Sequence, residues 1–211
     1  MKKLVIYTRI SVFIILAYTL GSLSANAKDN YLFGGPKLFS YDIDQADVDQ
    51  LATDLVNLGF STATVSANDY GGGFDIGIGF PMTEKIDMEA SFVYMGQFKL
   101  TADMTGPTEN LTVTSDSMSF PIMAKIKFGE SDYNFFAKAG WHFWQQDAII
   151  ATSQGNVKLW GKGNDPAYGF GAQLAGFAVS YDIYNFSGIG AGIAGQDSSM
   201  SSISATWSMK F

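Results

Sequence analysis

The sequence predicts an all-β protein, and within that class an eight-stranded antiparallel up-and-down transmembrane β-barrel. Three observations predict it: long segments alternate strictly between apolar and polar residues, the connections between them alternate between long and short, and the chain begins with an export signal. The length of 211 residues suits one domain of this kind.

The composition excludes several function classes. Twenty acidic residues against 13 basic ones argue against a nucleic-acid binder, which must neutralise phosphates with Lys and Arg. The absence of Cys excludes disulfides, iron–sulfur clusters and zinc–thiolate sites, and a single His, His142, excludes a site built from several His ligands. We therefore expect no cofactor and no resident metal ion.

The first element is a signal peptide. Lys2, Lys3 and Arg9 precede an apolar segment at residues 10–20, and Ala25 and Ala27 form a small-residue cleavage motif. An uncleaved membrane anchor is the alternative, but this segment is shorter than the ~20 apolar residues that span a bilayer. The sequence thus predicts a signal peptide at residues 1–27 and a β-barrel at residues 28–211.

Eight alternating segments follow the predicted cleavage site. In residues 86–103 the even positions are mostly apolar and the odd ones mostly polar or charged, which is the pattern of a strand with two different faces. The predicted strands are residues 31–41, 70–80, 86–103, 111–128, 134–150, 166–174, 177–187 and 199–211.

The connections predict a simple meander. Short turns at residues 81–84, 129–132 and 175–176 alternate with long connections at 42–69, 104–110, 151–165 and 188–198. All short turns then lie at one end of the barrel, together with both chain termini. This asymmetry is typical of barrels that cross a membrane.

Alternation alone does not decide between a soluble barrel with an apolar interior and a membrane barrel with an apolar exterior. The export signal, the one-sided short turns and aromatic residues near the strand ends favour the membrane barrel, in which every backbone group is paired. The aromatic residues of this predicted girdle are Phe80, Phe128, Phe135, Phe177, Tyr181, Trp207 and Phe211.

Several motifs support a family resemblance: GGPKL at residues 34–38, IDMEASF at 86–92, AKIKF at 124–128, AKAG at 137–140, and the ending with Trp207 and Phe211. The chain resembles the eight-stranded outer-membrane barrels of Gram-negative bacteria, the class of the transmembrane domain of outer membrane protein A and its small relatives. Where that class places Arg beside an acid in the seventh strand, this chain has Ser180 and Asp182.

The resemblance implies a location and partners. The protein is expected in the outer membrane, in contact with its lipids and with lipopolysaccharide. The resemblance also implies that Trp207, Met209 and Phe211 are the assembly signal read by the barrel-assembly machinery. A host or other surface ligand stays open.

Strand parity predicts a charged interior. We expect a paired polar network there, because side chains fill the interior of an eight-stranded barrel; an ion path or an active site is the alternative. Gly73, Gly77 and Gly79 are expected to leave room for long Lys side chains. The predicted network is Lys37, Asp87, Glu89, Lys99, Lys125, Lys127, Lys138 and Asp182, and Asp75, His142 and Lys210 are also predicted to point inward.

Three further features have two interpretations each. His142 is either a catalytic base of a lipid hydrolase or, as we favour, an interior His bonded to an acid. Asp42, Asp44, Asp47 and Asp49 either bind calcium or begin a solvated acidic helix that continues through Val48, Leu51, Leu55 and Leu58 to Gly59. Residues 157–162, VKLWGK, are a basic and aromatic loop that either contacts lipopolysaccharide phosphates or a host surface, or is an ordinary loop.

Three functions remain open from the sequence. The favoured one is a non-enzymatic outer-membrane protein that acts in envelope integrity or surface interaction through its extracellular loops. The alternatives are a narrow channel for ions or small apolar solutes and a lipid-modifying enzyme, for which the sequence contains no motif.

Overall fold

The computed structural model describes residues 30–41, 45–57, 61–105, 110–129, 133–153, 155–187 and 198–211. These residues form nine strands and one helix. In chain order the elements are β1 (Tyr31–Tyr41), α1 (Gln45–Asn57), β2 (Thr62–Ala67), β3 (Tyr70–Pro81), β4 (Ile86–Thr105), β5 (Asn110–Gly129), β6 (Tyr133–Thr152), β7 (Gly155–Leu174), β8 (Phe177–Phe186) and β9 (Ser198–Lys210).

Eight of the strands form a closed antiparallel ring in the order β4-β3-β1-β9-β8-β7-β6-β5, with β5 pairing back to β4. The ring closes where the first and last strands meet, and there the Phe211 amide donates a hydrogen bond of 2.9 Å to the Asn30 carbonyl. The predicted eight-stranded up-and-down barrel is confirmed. Strands β3, β5 and β7 end at one end of the barrel, where Asn30 and Phe211 also lie. We call this the turn end, and we call the opposite end the loop end.

The ninth strand, β2, was predicted as part of a loop. It pairs with the far half of β4, from Thr62 opposite Thr105 to Ala67 opposite Leu100, and β3 pairs with the near half. β2 and β3 therefore run along β4 as one interrupted strand. At the interruption the Asn68 amide N–H donates to the Lys99 carbonyl, and the Asn68 side chain donates to the Gln97 carbonyl.

A β-bulge lies opposite this interruption. The pairing of β4 with β5 shifts by one residue between Tyr94 and Gln97, and Gly96 has a φ of 78°. A Cβ at Gly96 would lie 2.6 Å from the Gly72 carbonyl oxygen, so glycine is favoured there by both conformation and space. Because the side-chain period is two, one inserted residue reverses which face every later residue of β4 occupies.

Strands β4 to β7 are 20 residues long, whereas β1, β3, β8 and β9 have 10 to 13 residues. The long strands project beyond the ring at the loop end. We call this projection the wall; it consists of β2 and residues 97–105, 110–118, 145–152 and 155–164.

The prediction that residues 151–165 form a loop is wrong for most of that segment. β7 begins at Gly155 and pairs with β6 over its full length, from Thr152 opposite Gly155 to Tyr133 opposite Leu174. Residues 157–162 thus belong to a strand of the wall. Residues 155–166 pair with β6 alone, because the pairing of β7 with β8 begins at Ala167. Gly161, Gly163 and Pro166 therefore lie at an open edge of the sheet, where such residues are tolerated.

The helix α1 packs beside β2, and its Val48 is buried. Leu51 and Leu55 lie on the same face and are half-buried, so the predicted acidic helix is present. Asp42, Asp44, Leu58 and Gly59 lie outside the described residues, as do residues 1–29 with the predicted signal peptide. No helix in the described part of the chain is long and apolar enough to cross a membrane.

Candidate functional site

In the half of the barrel interior nearer the turn end, buried ion pairs join the strands. Asp182 on β8 accepts Lys37 at 2.8 Å and Lys138 at 2.7 Å, and Lys37 also lies 3.4 Å from Asp75 on β3. The side chains of Lys37 and Asp182 are almost completely buried. Tyr184 adds a hydroxyl 2.8 Å from the Lys37 ammonium group.

A second ionic cluster lies nearer the turn end. The Lys125 ammonium group is 3.2 Å from Glu89, and that of Lys127 is 2.8 Å from Asp87. The Tyr31 hydroxyl donates to Glu89 at 2.7 Å and also reaches Asp87 at 3.1 Å. Tyr31 thus bridges two acids whose like charges are each offset by a lysine.

The described ion pairs join four lysines to four acids, so these charges balance inside the barrel. A buried charge is tolerated when it is paired, and here each ammonium group has a carboxylate within 3.4 Å. The structure brings together Lys37, Asp75, Asp87, Glu89, Lys125, Lys127, Lys138 and Asp182, the last of which also accepts a hydrogen bond from Ser180.

Two predicted interior lysines lie elsewhere. Lys99 is exposed, because the bulge at Gly96 reverses the parity of β4, and Leu100, Ala102 and Met104 are buried in its place. The prediction for Lys99 was therefore wrong. Lys210 is also exposed, since it is the last residue of β9, at the rim of the turn end.

On the loop-end side of the ionic clusters, a layer of aromatic and methionine side chains closes the interior. The Trp144 ring packs against Phe186 at 5.4 Å, Phe186 packs against His142 at 5.1 Å, and Tyr184 packs against Phe39 at 6.3 Å between centroids. The buried members of this layer are Phe39, Val93, Met95, Met123, Trp144, Ala167, Tyr184, Phe186 and Met200.

The glycines of β3 make room for rings rather than for lysines. A Cβ at Gly79 would lie 2.1 Å from the Tyr31 ring, and one at Gly77 would lie 2.5 Å from the Phe33 ring. At Gly73 it would meet both the Tyr94 carbonyl and an interior ring. The column of glycines is thus a surface on which the aromatic side chains of β1 lie.

His142 is fully buried. The predicted hydrogen bond from His142 to an acid is wrong, because its two partners are a hydroxyl and a carbonyl oxygen. Its Nδ1 lies 2.9 Å from the Ser119 hydroxyl, and its Nε2 lies 2.6 Å from the Asn185 carbonyl oxygen. A carbonyl oxygen can only accept a hydrogen bond, so Nε2 carries a proton; in the neutral form of this buried ring, Nδ1 is then the acceptor and Ser119 donates to it. Ser119 is also fully buried, so no substrate reaches this Ser–His pair in the structure.

Asp165 is an interior residue that the sequence analysis missed. Its carboxylate accepts the Trp144 indole N–H at 2.6 Å and the Ser187 backbone N–H at 3.1 Å, which ties the aromatic layer to the end of β8. Because Asp165 precedes Pro166 in a Gly-rich segment, its sequence context is typical of a loop. Only its pairing opposite His142 on β6 places it in the interior.

The exterior of the ring is apolar. Outward side chains such as Phe135, Phe143, Phe170, Ile203 and Trp207 are each about half or more exposed. A closed antiparallel barrel with an apolar exterior, a charged interior and short turns at one end is the architecture of an outer-membrane barrel. The chain has this architecture.

Most of the predicted aromatic girdle is exposed at the turn end. Phe128, Phe135, Trp207 and Phe211 are between 57% and 71% exposed, whereas Phe80 is 2% exposed and does not belong to this set. Met209 is exposed beside Trp207. The residues of the expected assembly signal therefore all face outward at the end of β9.

Comparisons with known proteins found similar solved structures. Ail, the attachment invasion locus protein of Yersinia pestis, is 12% identical with a TM-score of 0.46, over 86% of this chain and 99% of that one. The same protein in complex with the heparin analogue sucrose octasulfate is 10% identical with a TM-score of 0.44, over the same shares of the two chains. The outer membrane protein OprG from Pseudomonas aeruginosa is 12% identical with a TM-score of 0.49, over 87% of this chain and 96% of that one.

No protein-family model matches the sequence, and no curated protein sequence matches it.

The described residues contain no group of three or more acidic or His side chains that could hold a metal ion. Asp49 on α1 is exposed and accepts a hydrogen bond from Gln45 at 3.0 Å. The calcium hypothesis for the first loop depends on Asp42 and Asp44, which lie outside the described residues.

Proposed function

We propose that the protein is a non-enzymatic outer-membrane barrel whose ring is a closed membrane anchor and whose wall acts in envelope integrity or surface interaction. In this proposal residues 1–27 are a signal peptide that is removed on export. The observation that carries the proposal is the filled interior, in which an ionic layer and an aromatic layer lie one above the other.

The filled interior argues against a channel. An ion that entered from the turn end would meet the buried pairs of Lys37 and Lys138 with Asp182, and beyond them the rings of Tyr184 and Phe186. Opening this route requires breaking buried ion pairs and repacking the aromatic layer. Either step costs several kcal/mol.

The arrangement also argues against a hydrolase. A serine hydrolase needs a nucleophile that a carbonyl substrate can approach and donors that stabilise the resulting oxyanion. Ser119 and His142 are fully buried behind Tyr184 and Phe186. We assign the pair a structural role, in which Ser119 fixes the neutral His142 ring between β5 and β8.

The proposed partners follow from the exterior. The apolar outer surface contacts outer-membrane lipid, and the surface above it contacts lipopolysaccharide. Trp207, Met209 and Phe211 form an exposed apolar strand end at the turn end, which supports their role as the signal for the barrel-assembly machinery.

The test separates the anchor from the wall. In one variant the tip of the β6–β7 hairpin, residues 147–160, is replaced by Asn-Gly, which joins Gln146 and Gly161, a directly paired position. This variant is expected to fold and reach the outer membrane, yet to leave a deletion strain sensitive to detergent. The full-length protein is expected to restore resistance.

Proteoliposome swelling in a solution of small sugars completes the test. The full-length protein is expected to cause no swelling. Rapid swelling, or full restoration of detergent resistance by the shortened variant, would reject the proposal.

A further inference from the structure

The outer face of the barrel changes character in successive rows of paired residues. Phe120 on β5 is paired with Phe143 on β6, and this row is aromatic. One row farther toward the loop end, Gln145 is paired with Lys162 on β7. On β6 and β7 the outward side chains therefore change, within one row, from the aromatic ring of Phe143 to the amide of Gln145 and the ammonium group of Lys162.

The height of these rows locates the membrane surface. Phe135 and Phe143 both face outward on β6 and mark the two limits of its apolar stretch. Eight residues at ~3.3 Å each, tilted by about 40°, correspond to roughly 20 Å, close to the ~25 Å apolar band of such barrels. Lys162 lies about 5 Å beyond this band, where the phosphate groups of outer-leaflet lipids lie.

A groove lies on the exterior at this level. Its lining includes the Phe120 and Phe143 rings with Asn164 in the same row, and Gln145 and Lys162 in the next row toward the loop end. Lys162 is exposed and has no ion-pair partner within the described residues. The groove therefore offers an apolar surface beside an unneutralised cation.

The same strand continues this pattern away from the membrane. Trp160 is 71% exposed, and it lies between Lys162 and Lys158 on the outer face of β7. Lys99 is in line with Lys158, because Lys99, Thr114, Ile149 and Lys158 are paired in succession across β4 to β7. An exposed indole between two lysines is suited to a sugar ring carrying anionic groups, since the indole offers a flat apolar face and the lysines offer charge.

Two carboxylates complete the surface. Asp116 is paired with Asp147 in the row of Trp160, and each accepts a hydrogen bond, from Tyr94 at 3.0 Å and from Gln145 at 3.2 Å. Their charge directs an anion away from β5 and β6. The lysines of β7 are therefore the favoured contacts.

We infer that this face of β7 binds a phosphorylated glycolipid of the outer leaflet, with an acyl chain against Phe120 and Phe143, a phosphate at Lys162, and a sugar on Trp160. Along the strand an apolar level is followed by Lys162, Trp160 and Lys158, which suits a lipid whose acyl chains are attached to a phosphorylated sugar. This inference rests on the proposed function, because it requires the ring to lie in the outer membrane.

A soluble anionic glycan would use the same lysines and Trp160, but it would have no use for the groove. The rings of Phe120 and Phe143 are at the height of lipid chains, and the groove joins them directly to Lys162. We therefore commit to the lipid as the occupant.

The experiment measures the affinity of the detergent-solubilised full-length protein for bisphosphorylated lipid A and for its dephosphorylated form by native mass spectrometry. Each lysine near a charged lipid surface contributes about fivefold in affinity, so Lys162→Gln should weaken lipid A binding about fivefold and Lys158→Gln/Lys162→Gln about 25-fold. Lys162→Arg should retain binding. Lys85→Gln, an identical charge change at an exposed residue of a turn-end loop, should have no effect.

Dephosphorylated lipid A should bind weakly and equally to all variants. Equal affinity of the wild type and the double variant for bisphosphorylated lipid A would overturn the inference. Heparin, a soluble anionic glycan, is measured with the same variants. A double variant that loses binding to heparin but keeps lipid A would also overturn the inference, in favour of a soluble glycan. Folding of each variant is checked by heat-modifiable gel mobility. Ion conduction by the folded wild type would reject the proposed function, but it would leave this comparison of affinities valid.

Discussion

Replacing Asp182 with Asn removes one negative charge from the barrel interior and keeps the size of the side chain. In the native protein Asp182 accepts two ammonium groups, from Lys37 at 2.8 Å and Lys138 at 2.7 Å. Lys37 retains Asp75 at 3.4 Å after the change, whereas Lys138 has no second carboxylate within 4.0 Å among the described residues. The variant therefore leaves the Lys138 ammonium group buried without a counter-charge.

Removing one partner of a buried ion pair costs about 3–5 kcal/mol in general. The Asn carbonyl still accepts a hydrogen bond, which places Asp182→Asn near the lower limit, about 3 kcal/mol. With a urea dependence of ~1–3 kcal/mol per molar, the midpoint of unfolding should fall by roughly 1–3 M. The measurement is urea titration of the protein in lipid vesicles, followed by tryptophan fluorescence and by gel mobility without heating.

The control is Asp69→Asn, the same chemical change at an exposed residue between β2 and β3. Its midpoint should equal that of the wild type. Adding Lys138→Met to Asp182→Asn removes the stranded cation and should recover part of the lost stability. An Asp182→Asn midpoint equal to that of Asp69→Asn would refute the paired interior.

Three other predictions follow from the same contacts. Deleting Phe211 removes an exposed aromatic ring and the amide that donates a hydrogen bond to Asn30 where the barrel closes. The amount of protein in the outer membrane should fall strongly while export continues, and a normal amount in the outer-membrane fraction would reject this prediction. Glu89→Ala strands Lys125 and should lower the urea midpoint by an amount equivalent to ~3–5 kcal/mol; an unchanged midpoint argues against the pairing. Asp165→Ala leaves the buried Trp144 indole N–H without an acceptor and should lower the free energy of unfolding by about 1–3 kcal/mol in the same titration. An unchanged free energy would show that the aromatic layer is stable without this bond.

Alternation predicted most of the ring because its strands have an apolar outer face and a polar or charged inner face. Every strand that crosses the bilayer must place apolar side chains outward and can place charges inward, so Asp87, Glu89 and Lys125 are recognisable from parity alone. The pairings of these side chains were not recognisable. They depend on the stagger of the strands, which brings Lys37 of β1 to Asp182 of β8.

The failures have a common physical origin in long-range pairing. Nothing in the sequence around Gly96 distinguishes a bulge from an ordinary glycine in a strand, and the bulge alone reverses the side on which Lys99 lies. The segment at residues 157–162 lacks strict alternation, yet it belongs to β7, which is paired with β6 at all 20 of its positions. Asp165 was missed for the same reason.

The central claim is that the ring is a closed anchor rather than a pore. Planar-bilayer recording of the purified full-length protein tests it most directly, with Lys37, Lys138 and Asp182 intact and with Asp182→Asn as the comparison. A closed interior predicts no steady conductance above the lipid background for the wild type, and intermittent openings for the variant as water reaches the unpaired cation. Large, steady single-channel conductance in the wild type would contradict it.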